Sequence, residues 1–353
     1  MTARLYHRGD TMTVLVTGAA GHIGANLVRT LLSRGERVRV LVRNSTRALA
    51  GLDVERVIGD VRDPDAARRA TAGVEVVYHL AAQISISGDP HGLVRAVNVD
   101  GVRSIAEAAL AAGVRRLIHC SSVHAFDLYR EGASEVEVDE RWPRVPDEPS
   151  HFAYDRSKAA GERALREVMG RGLDAVIVHP SGVIGPYDFG PSRMGRLFLQ
   201  LYRRSLPSLV DGAFDFVDVR DVVAGMLAAE SRGESGENYL LTGHTVHVRD
   251  IGAAAEAVTG VKPPRLVTPI WVARLGVPLF GVAGAVMRQE PLYTYESLAV
   301  LSTRARFDRG KAARALGYSP RPFIDSVRDI YAWFDAAGML GRKRGAAAVK
   351  DVP

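Results

Sequence analysis

Residues 13–17, Thr-Val-Leu-Val-Thr, form a β-branched run. It ends on Gly18-Ala19-Ala20-Gly21-His22-Ile23-Gly24, and apolar residues then follow at helical spacing: Leu27, Val28, Leu31 and Leu32. A strand that turns on a glycine and enters a helix within seven residues leaves few architectures open. The alternation continues downstream. Gly35 stops the first helix, and 37–43 alternates as a strand. Residues 54–61 read as a strand, 64–73 as a helix, 74–82 as a strand, 94–114 as a long helix and 115–122 as a strand. A helix from 154 to about 170 and a strand over 174–180 complete the series. Strands separated by helices at this spacing imply a parallel sheet covered on both faces. The expected fold class is α/β: a doubly wound parallel sheet with a smaller C-terminal α+β substrate region.

The expected organisation is an N-terminal extension over 1–11, a dinucleotide-binding domain of the Rossmann type over 12–185, a substrate-binding region over 186–339 and a basic tail over 340–353. Regularity fades after residue 180, where 181–195 is rich in glycine and proline. Residues 214–243 read as a segment that returns to the sheet. The apolar stretch 266–287 carries Arg274, two prolines and three glycines, so it suits a packed helix and loop better than a membrane span.

Composition narrows the function. The net charge is +6, but the arginines are spread along the chain among acids, with no basic stripe and no interleaved aromatic residues. Nucleic acid is therefore not an expected partner; a small-molecule substrate is. The single cysteine, Cys120, excludes an internal disulfide and fits a reducing, cytoplasmic compartment. The first residues contain no apolar segment of the kind that secretory signals carry. No metal site is expected.

A strand, three glycines at this spacing and a helix form the seat of a bound pyrophosphate. Gly18 permits the tight turn, Gly21 lets the backbone approach the phosphates, and Gly24 lets helix and strand pack closely. An NAD site usually places an acid at the end of the second strand to hold the ribose hydroxyls. Here that stretch runs Leu41-Val42-Arg43-Asn44-Ser45-Thr46-Arg47, without an acid. Arg43 and Arg47 suit a 2′-phosphate, so the expected cofactor is NADP rather than NAD.

Of the 11 tyrosines only Tyr154 has a lysine, Lys158, four residues on. Alone this pair is a weak signal, but it gains meaning from the glycine turn upstream. In order along the chain stand TGAAGHIG (17–24), GDVRD (59–63), HLAA (79–82), NVDG (98–101), SSVHAF (121–126), YDRSK (154–158), HPSGVIGP (179–186), FVDVRDVV (216–223) and KAARALGY (311–318). By these motifs the chain resembles the extended short-chain dehydrogenase/reductase family, the NAD-dependent epimerase/dehydratase superfamily. Within it the nearest likeness is to the branch of dihydroflavonol 4-reductase-like and 3β-hydroxysteroid dehydrogenase-like proteins. The resemblance runs from about residue 12 to 337.

The resemblance implies that Tyr154 is the proton donor/acceptor, Lys158 its partner, and Ser122, the second serine of its pair, the hydroxyl on the substrate oxygen. The ammonium of Lys158, with the charge of an oxidised nicotinamide, is expected to favour the phenolate. His22, Ile23, Asp60, Val61, Leu80, Ala81, Ala82, Asn98, Pro180, Ser181 and Val183 are implied to border the cofactor, with His22 covering the pyrophosphate. Gln83, His124, Phe126, Tyr187, Phe189 and Met194 are expected to face substrate, and His179 to be a strand-end histidine. Relatives that act on nucleotide sugars commonly carry an arginine where this chain has Asp215. An acid is wrong for a diphosphate, which favours an apolar or weakly polar ketone or secondary alcohol. The expected activity is hydride transfer between nicotinamide and that carbon, of the alcohol dehydrogenase/ketone reductase type. The alternatives are a nucleotide-sugar epimerase or dehydratase with tightly bound NAD(P), and a non-catalytic NADP-binding regulator. Relatives dimerise through helices near 98–113 and 154–170, so a homodimer is implied.

Overall fold

The computed structural model describes residues 12–44, 47–130, 133, 136–287 and 294–341. The extension over 1–11 and most of the basic tail, 342–353, lie outside the described residues. Strands β1 (Thr13–Thr17), β2 (Arg37–Val42), β3 (Glu55–Ile58), β4 (Val76–His79), β5 (Arg116–Cys120) and β6 (Ala175–Pro180) build one sheet. They are joined through helices α1 (His22–Ser33), α2 (Pro64–Thr71), α3 (Gly101–Ala111) and α4 (Ala153–Met169). A π-helical turn over Ala96–Asp100 leads into α3. The chain then makes β7 (Gly182–Ile184), α5 (Arg193–Arg203), β8 (Ala213–Asp218), α6 (Val219–Arg232), β9 (Asn238–Leu241), β10 (His244–His247) and α7 (Val248–Thr259). Helices α8 (Ile270–Met287), α9 (Tyr295–Thr303), α10 (Gly310–Leu316) and α11 (Phe323–Ala336) follow.

The main sheet has seven strands in the order β9-β6-β5-β4-β1-β2-β3. Every pairing in it is parallel. Side chains alternate across each strand, so neighbouring residues enter opposite cores. Val14 and Val16 pack with Leu27, Val28 and Leu31 of α1 and with Val222 and Met226 of α6. Leu15 packs on the other face with Ala66 and Ala70 of α2, Ile105 and Ala109 of α3, and Leu165 and Val168 of α4. The alanines of α2 and α3 allow those helices to lie close to the sheet. Strand order reverses between β1 and β4, and ligands of such sheets bind at the carboxyl ends beside that switch.

Within 214–243 the chain divides. Asn238–Leu241 joins the main sheet beside β6, whereas Ala213–Asp218 is the central strand of a separate three-stranded sheet, β10-β8-β7. That sheet packs under α5, α7 and α11 around Phe198, Phe216, Ile251, Ile330, Tyr331 and Phe334. The apolar stretch around 270 is α8, which contains Pro278 and turns Ala273 and Val277 onto Leu298 of α9. Among the described residues no helix is long and apolar enough to cross a membrane.

Gly24 tests how tightly α1 is seated on the turn. A Cβ there would lie 2.2 Å from the Gly18 carbonyl oxygen and 2.7 Å from Ala19 Cα, both backbone atoms that cannot turn aside. Gly24→Ala is expected to cost about 3 kcal/mol, at the upper end of small-to-large substitutions. Urea denaturation measures this, and a variant as stable as wild type would contradict the packing described.

Candidate active site

A groove of about 400 Å³ runs over the carboxyl ends of β1, β2 and β4. It is lined by Gly18, Gly21, Arg43, Asp60, Val61 and the Leu80–Gln83 segment, together with Leu41, Val42, Asn44, Gly59 and Val97, which sequence reasoning passed over. Gly18 has φ +67°, and a Cβ on it would sit 2.7 Å from Ala81 N and from Leu80 C. Two backbone segments therefore meet here with no space for a side chain, which makes the floor of the cradle. Buried Thr17 ties them together: its hydroxyl accepts from the N–H groups of Leu80 and Ala81 at 3.2 Å and lies 2.8 Å from His79 Nδ1. Sequence patterning gave no sign of Thr17, which reads as the end of a strand.

Helix α1 starts at the groove with Gly21 as its N-cap and no side chain closing it. Its first N–H groups and its positive dipole end thus face the groove, as a pyrophosphate requires. Ile23 turns its side chain into the core. His22 Nε2 lies 3.0 Å from the Pro186 carbonyl, to which Asn26 also donates at 2.9 Å, and His22 is not among the residues that line the groove. Arg43 is exposed on the rim, while Arg47 stands exposed on the next short helical turn, outside the groove lining. Asp60 is held below the usual carboxylate range chiefly by its hydrogen bond from Arg62.

Tyr154, Lys158 and Glu162 follow at i, i+4 and i+8 on α4, one face of one helix. All three are buried. Lys158 donates to the carbonyl of Cys120 at the end of β5, at 3.1 Å. Glu162 receives Ser121 Oγ at 2.5 Å and Arg144 Nε at 2.8 Å, and lies 2.7 Å from His179 Nε2. Burial works against its charge, yet these partners hold it well below the usual carboxylate range. His179 is thus a buried structural partner of Glu162. With Ser121 committed to Glu162, Ser122 is the serine beside Tyr154. Its hydroxyl accepts from His124 N–H at 3.2 Å, and it lowers the phenol. Burial pushes the phenol above its ordinary value, against the lowering by Ser122. Burial also lowers the Lys158 ammonium. Lys158 alone, therefore, does not draw the phenol toward neutrality.

Asn98 fixes the loop after β4: its side chain accepts from Gln83 N–H at 2.8 Å and donates to the Gln83 carbonyl at 2.9 Å and to Ser157 Oγ at 2.8 Å. Gln83 lines the dinucleotide groove rather than the substrate cavity. Pro180 ends β6, Val183 packs against the core, and Ser181 donates to Asp215 at 2.5 Å.

Next to Tyr154 opens a cavity of about 190 Å³. Its walls are largely apolar and include Ile84, Ile86, Met194, Leu197, Phe214, Phe216, Ile251 and Leu301. Alternation along β8 sends Phe214 and Phe216 into it. Asp215 points the other way, taking hydrogen bonds from Ser181 and from Gly243 N–H at 2.7 Å. The expectation that Asp215 would repel a diphosphate fails for that reason. Its register turns it away, and the character of the cavity comes from the two phenylalanines. His124 and Met194 line the cavity as expected, while three aromatic residues do not. Phe126 is fully buried against His179, with Arg144 stacked over its ring. Tyr187 and Phe189 form a cluster with Trp333 under the guanidinium of Arg29. Two acids missed in the sequence act on the cavity, Glu296 in its wall and buried Asp155 behind it. Asp155 holds His124 Nδ1 at 2.9 Å, and Glu296 enters the wall from α9. His124 is raised above its ordinary value because Asp155 outweighs the burial that opposes its charge. Burial pushes the Glu296 carboxyl up to about 7, and Asp155 adds to the rise.

The fold, a groove fitted to a dinucleotide and a Tyr–Lys pair at its end define an NAD(P)-dependent enzyme of the Rossmann type. Residues 14–242 match the NAD dependent epimerase/dehydratase family, and the chain belongs to it, within the extended short-chain dehydrogenases/reductases. It is 42% identical over 335 residues to sterol demethylase protein B of Methylococcus capsulatus, covering 93% of this chain and all of that one. It is 30% identical over 323 residues to a ketoreductase of Stigmatella aurantiaca named for 4-hydroxy-2-methyl-3-oxo-4-farnesyl-3,4-dihydroquinoline-1-oxide, covering 88% of this chain and 92% of the relative. The crystal structure of gox2253 superposes with a TM-score of 0.79 at 35% identity, covering 94% of this chain and 99% of that one.

Glu296 gives a pH test. Its folded value lies above its unfolded one, so the stability it contributes is full below about 4.5 and is lost as pH rises through about 7. Relative to wild type, Glu296→Gln should gain up to about 3 kcal/mol between pH 4.5 and pH 8, because each tenfold displacement of a proton equilibrium is worth about 1.4 kcal/mol. Thermal denaturation of both proteins across this range measures the gain, and a stability difference that does not change with pH would rule the assignment out.

Proposed function

We propose that the protein is an NADP(H)-dependent reductase or dehydrogenase acting on a ketone or secondary alcohol of an apolar molecule. The observation that carries this reading is the apolar cavity with Tyr154 in its wall, directly beyond the dinucleotide groove. The names of the two relatives, a sterol demethylase protein and a ketoreductase of a farnesylated ring, support an apolar substrate. Arg43 on the rim, with no acid at the end of β2, supports a 2′-phosphate.

When bound, the dinucleotide supplies or accepts the hydride and, oxidised, brings a positive charge. The rest is work for this chain. Open N–H groups at the start of α1 hold the pyrophosphate, and Gly18 keeps the floor flat enough for its approach. Ser122 donates to the carbonyl oxygen and orients it toward Tyr154. In reduction the Tyr154 phenol gives its proton to that oxygen as the carbon gains hydride, and the phenolate left behind is stabilised by the Lys158 ammonium. In oxidation the same oxygen of Tyr154 takes the proton back. Burial keeps the phenol protonated until charge arrives nearby, which suits the reductive direction at neutral pH. The reading includes a cytoplasmic homodimer formed through α3 and α4, two helices that the Arg103–Glu167 pair at 2.7 Å joins within one subunit.

Assays with NADPH and with NADH against steroid, flavonoid and β-keto ketones should give stoichiometric oxidation and a preference for NADPH. Arg43→Asp should cut that preference about 10–100-fold, the value of one charge-assisted contact. Tyr154→Phe should lower kcat by about 10²–10⁴-fold with dinucleotide affinity retained. Turnover of a nucleotide sugar with no net change in NADPH would replace this reading with an epimerase. Unaltered kcat in Tyr154→Phe would remove Tyr154 from the chemistry.

A further inference from the structure

The cavity beside Tyr154 is faced by an acid, Glu296, that has no hydrogen-bond or ion-pair partner among the described residues. Glu296 sits in the first turn of α9, placed there by a capping box in which Thr294 and Ser297 exchange hydrogen bonds. The residue is only 5% exposed and contributes to the cavity wall among Phe214, Val300 and Leu301. Among the described residues no group hydrogen-bonds to its carboxyl or forms an ion pair with it. The charged groups that face it act through their fields: Asp155 from α4, His124 from the turn after β5, and Arg193 from α5. The Asp155 carboxylate is engaged with His124 Nδ1, and the His124 ring meets the Tyr154 ring edge-on with centroids 5.5 Å apart. One acid of the cluster therefore has its partner in the protein, and the other has none among the described residues.

The Glu296 carboxyl opens into a largely apolar cavity, where burial disfavours its charge and the described residues supply no partner to offset that cost. Such a cost is offset when a ligand brings the missing partner. The surrounding charges restrict what that partner can be. A ligand carboxylate or phosphate would meet Glu296 and Asp155, and a ligand ammonium would meet the positive fields of His124 and Arg193. A neutral hydroxyl is repelled by neither sign. It donates to an ionised carboxyl and accepts from a protonated one.

We propose that Glu296 is a specificity-determining residue that binds a second oxygen function of the substrate, a neutral hydroxyl distinct from the oxygen at the reacting carbon. The substrate class is then an apolar skeleton with two oxygens, one offered to Tyr154 and one to Glu296. This rests on the reading of Tyr154 as the reacting group. Discrimination of this kind is large because a site built to hydrogen-bond a hydroxyl is left with an unpaired buried group by the analogue that lacks it.

The test uses the full chain saturated with NADP⁺ and matched pairs of bicyclic and steroidal ketones, each pair differing by one hydroxyl. Equilibrium dialysis gives the affinity ratio within each pair for wild type, Glu296→Gln, Glu296→Leu and Tyr154→Phe. For at least one pair the wild type is expected to prefer the hydroxylated member by about 10-fold or more. That ratio should rise as pH increases through about 7, where the carboxylate becomes the stronger acceptor. Glu296→Gln should keep a smaller, pH-independent preference, Glu296→Leu should bring the ratio to about one, and Tyr154→Phe should leave it as in wild type. Thermal melting of Glu296→Leu at or above wild type shows that the variant is folded. A wild type without preference in any pair, or the same preference in Glu296→Leu, overturns the inference. A preference that depends on Glu296 without NADPH oxidation for any ketone leaves it standing and sinks the reductase reading instead.

Discussion

The position of the site depends on one buried ammonium. Lys158 lies within the protein with its charge on the carbonyl of Cys120, the last residue of strand β5. A buried charge is costly unless paired, so this contact and the nearby Glu162 leave α4 little freedom to slide along the sheet. One turn earlier on the same face stands Tyr154, and one turn later Glu162 ties the helix to Ser121, Arg144 and His179. The helix is thus pinned at two points on strands β5 and β6. The phenol at its N-terminal end is held where the dinucleotide groove meets the substrate cavity.

The two halves of the site use opposite physical means. On the dinucleotide side the protein offers backbone: the Gly18 turn, the open start of α1 and the Leu80–Ala82 segment held by Thr17. Backbone can approach a ligand there because side chains are excluded by contacts that a single Cβ would break. On the substrate side it offers side chains, chiefly the apolar groups that β8 and α5 turn inward. Backbone recognition suits a cofactor common to a whole family, whereas a side-chain cavity is free to vary with the substrate.

What could be read in the sequence divides along the same line. The strand–turn–helix alternation and the glycine spacing are local signals, and they placed β1, α1 and the groove. Tyr154, Lys158 and Ser122 stood in motifs whose spacing is set by one helix and one strand end. The substrate side was less legible because it is assembled from remote segments. Asp215 reads as a charge facing the ligand until the register of β8 turns it toward Ser181 and Gly243. Tyr187 and Phe189 look like cavity aromatics, yet Arg29 and Trp333 gather them into a cluster elsewhere. His22 is spent on the Pro186 carbonyl, and Phe126 on the core. Glu296 left no local signal at all, because its partners in space, Asp155 and His124, lie far away along the chain.

The central claim is that burial keeps the Tyr154 phenol neutral in the protein alone, and that positive charge from an oxidised dinucleotide, added to Lys158, makes it ionisable. Ultraviolet difference titration of wild type against Tyr154→Phe, with and without NADP⁺, isolates this one phenol. The account predicts no tyrosinate signal from it below about pH 10, the ordinary phenol value, in the protein alone, and a transition at least about 1 pH unit lower with NADP⁺ bound. Identical titration with and without NADP⁺, or ionisation of Tyr154 below its ordinary value in the protein alone, would contradict it.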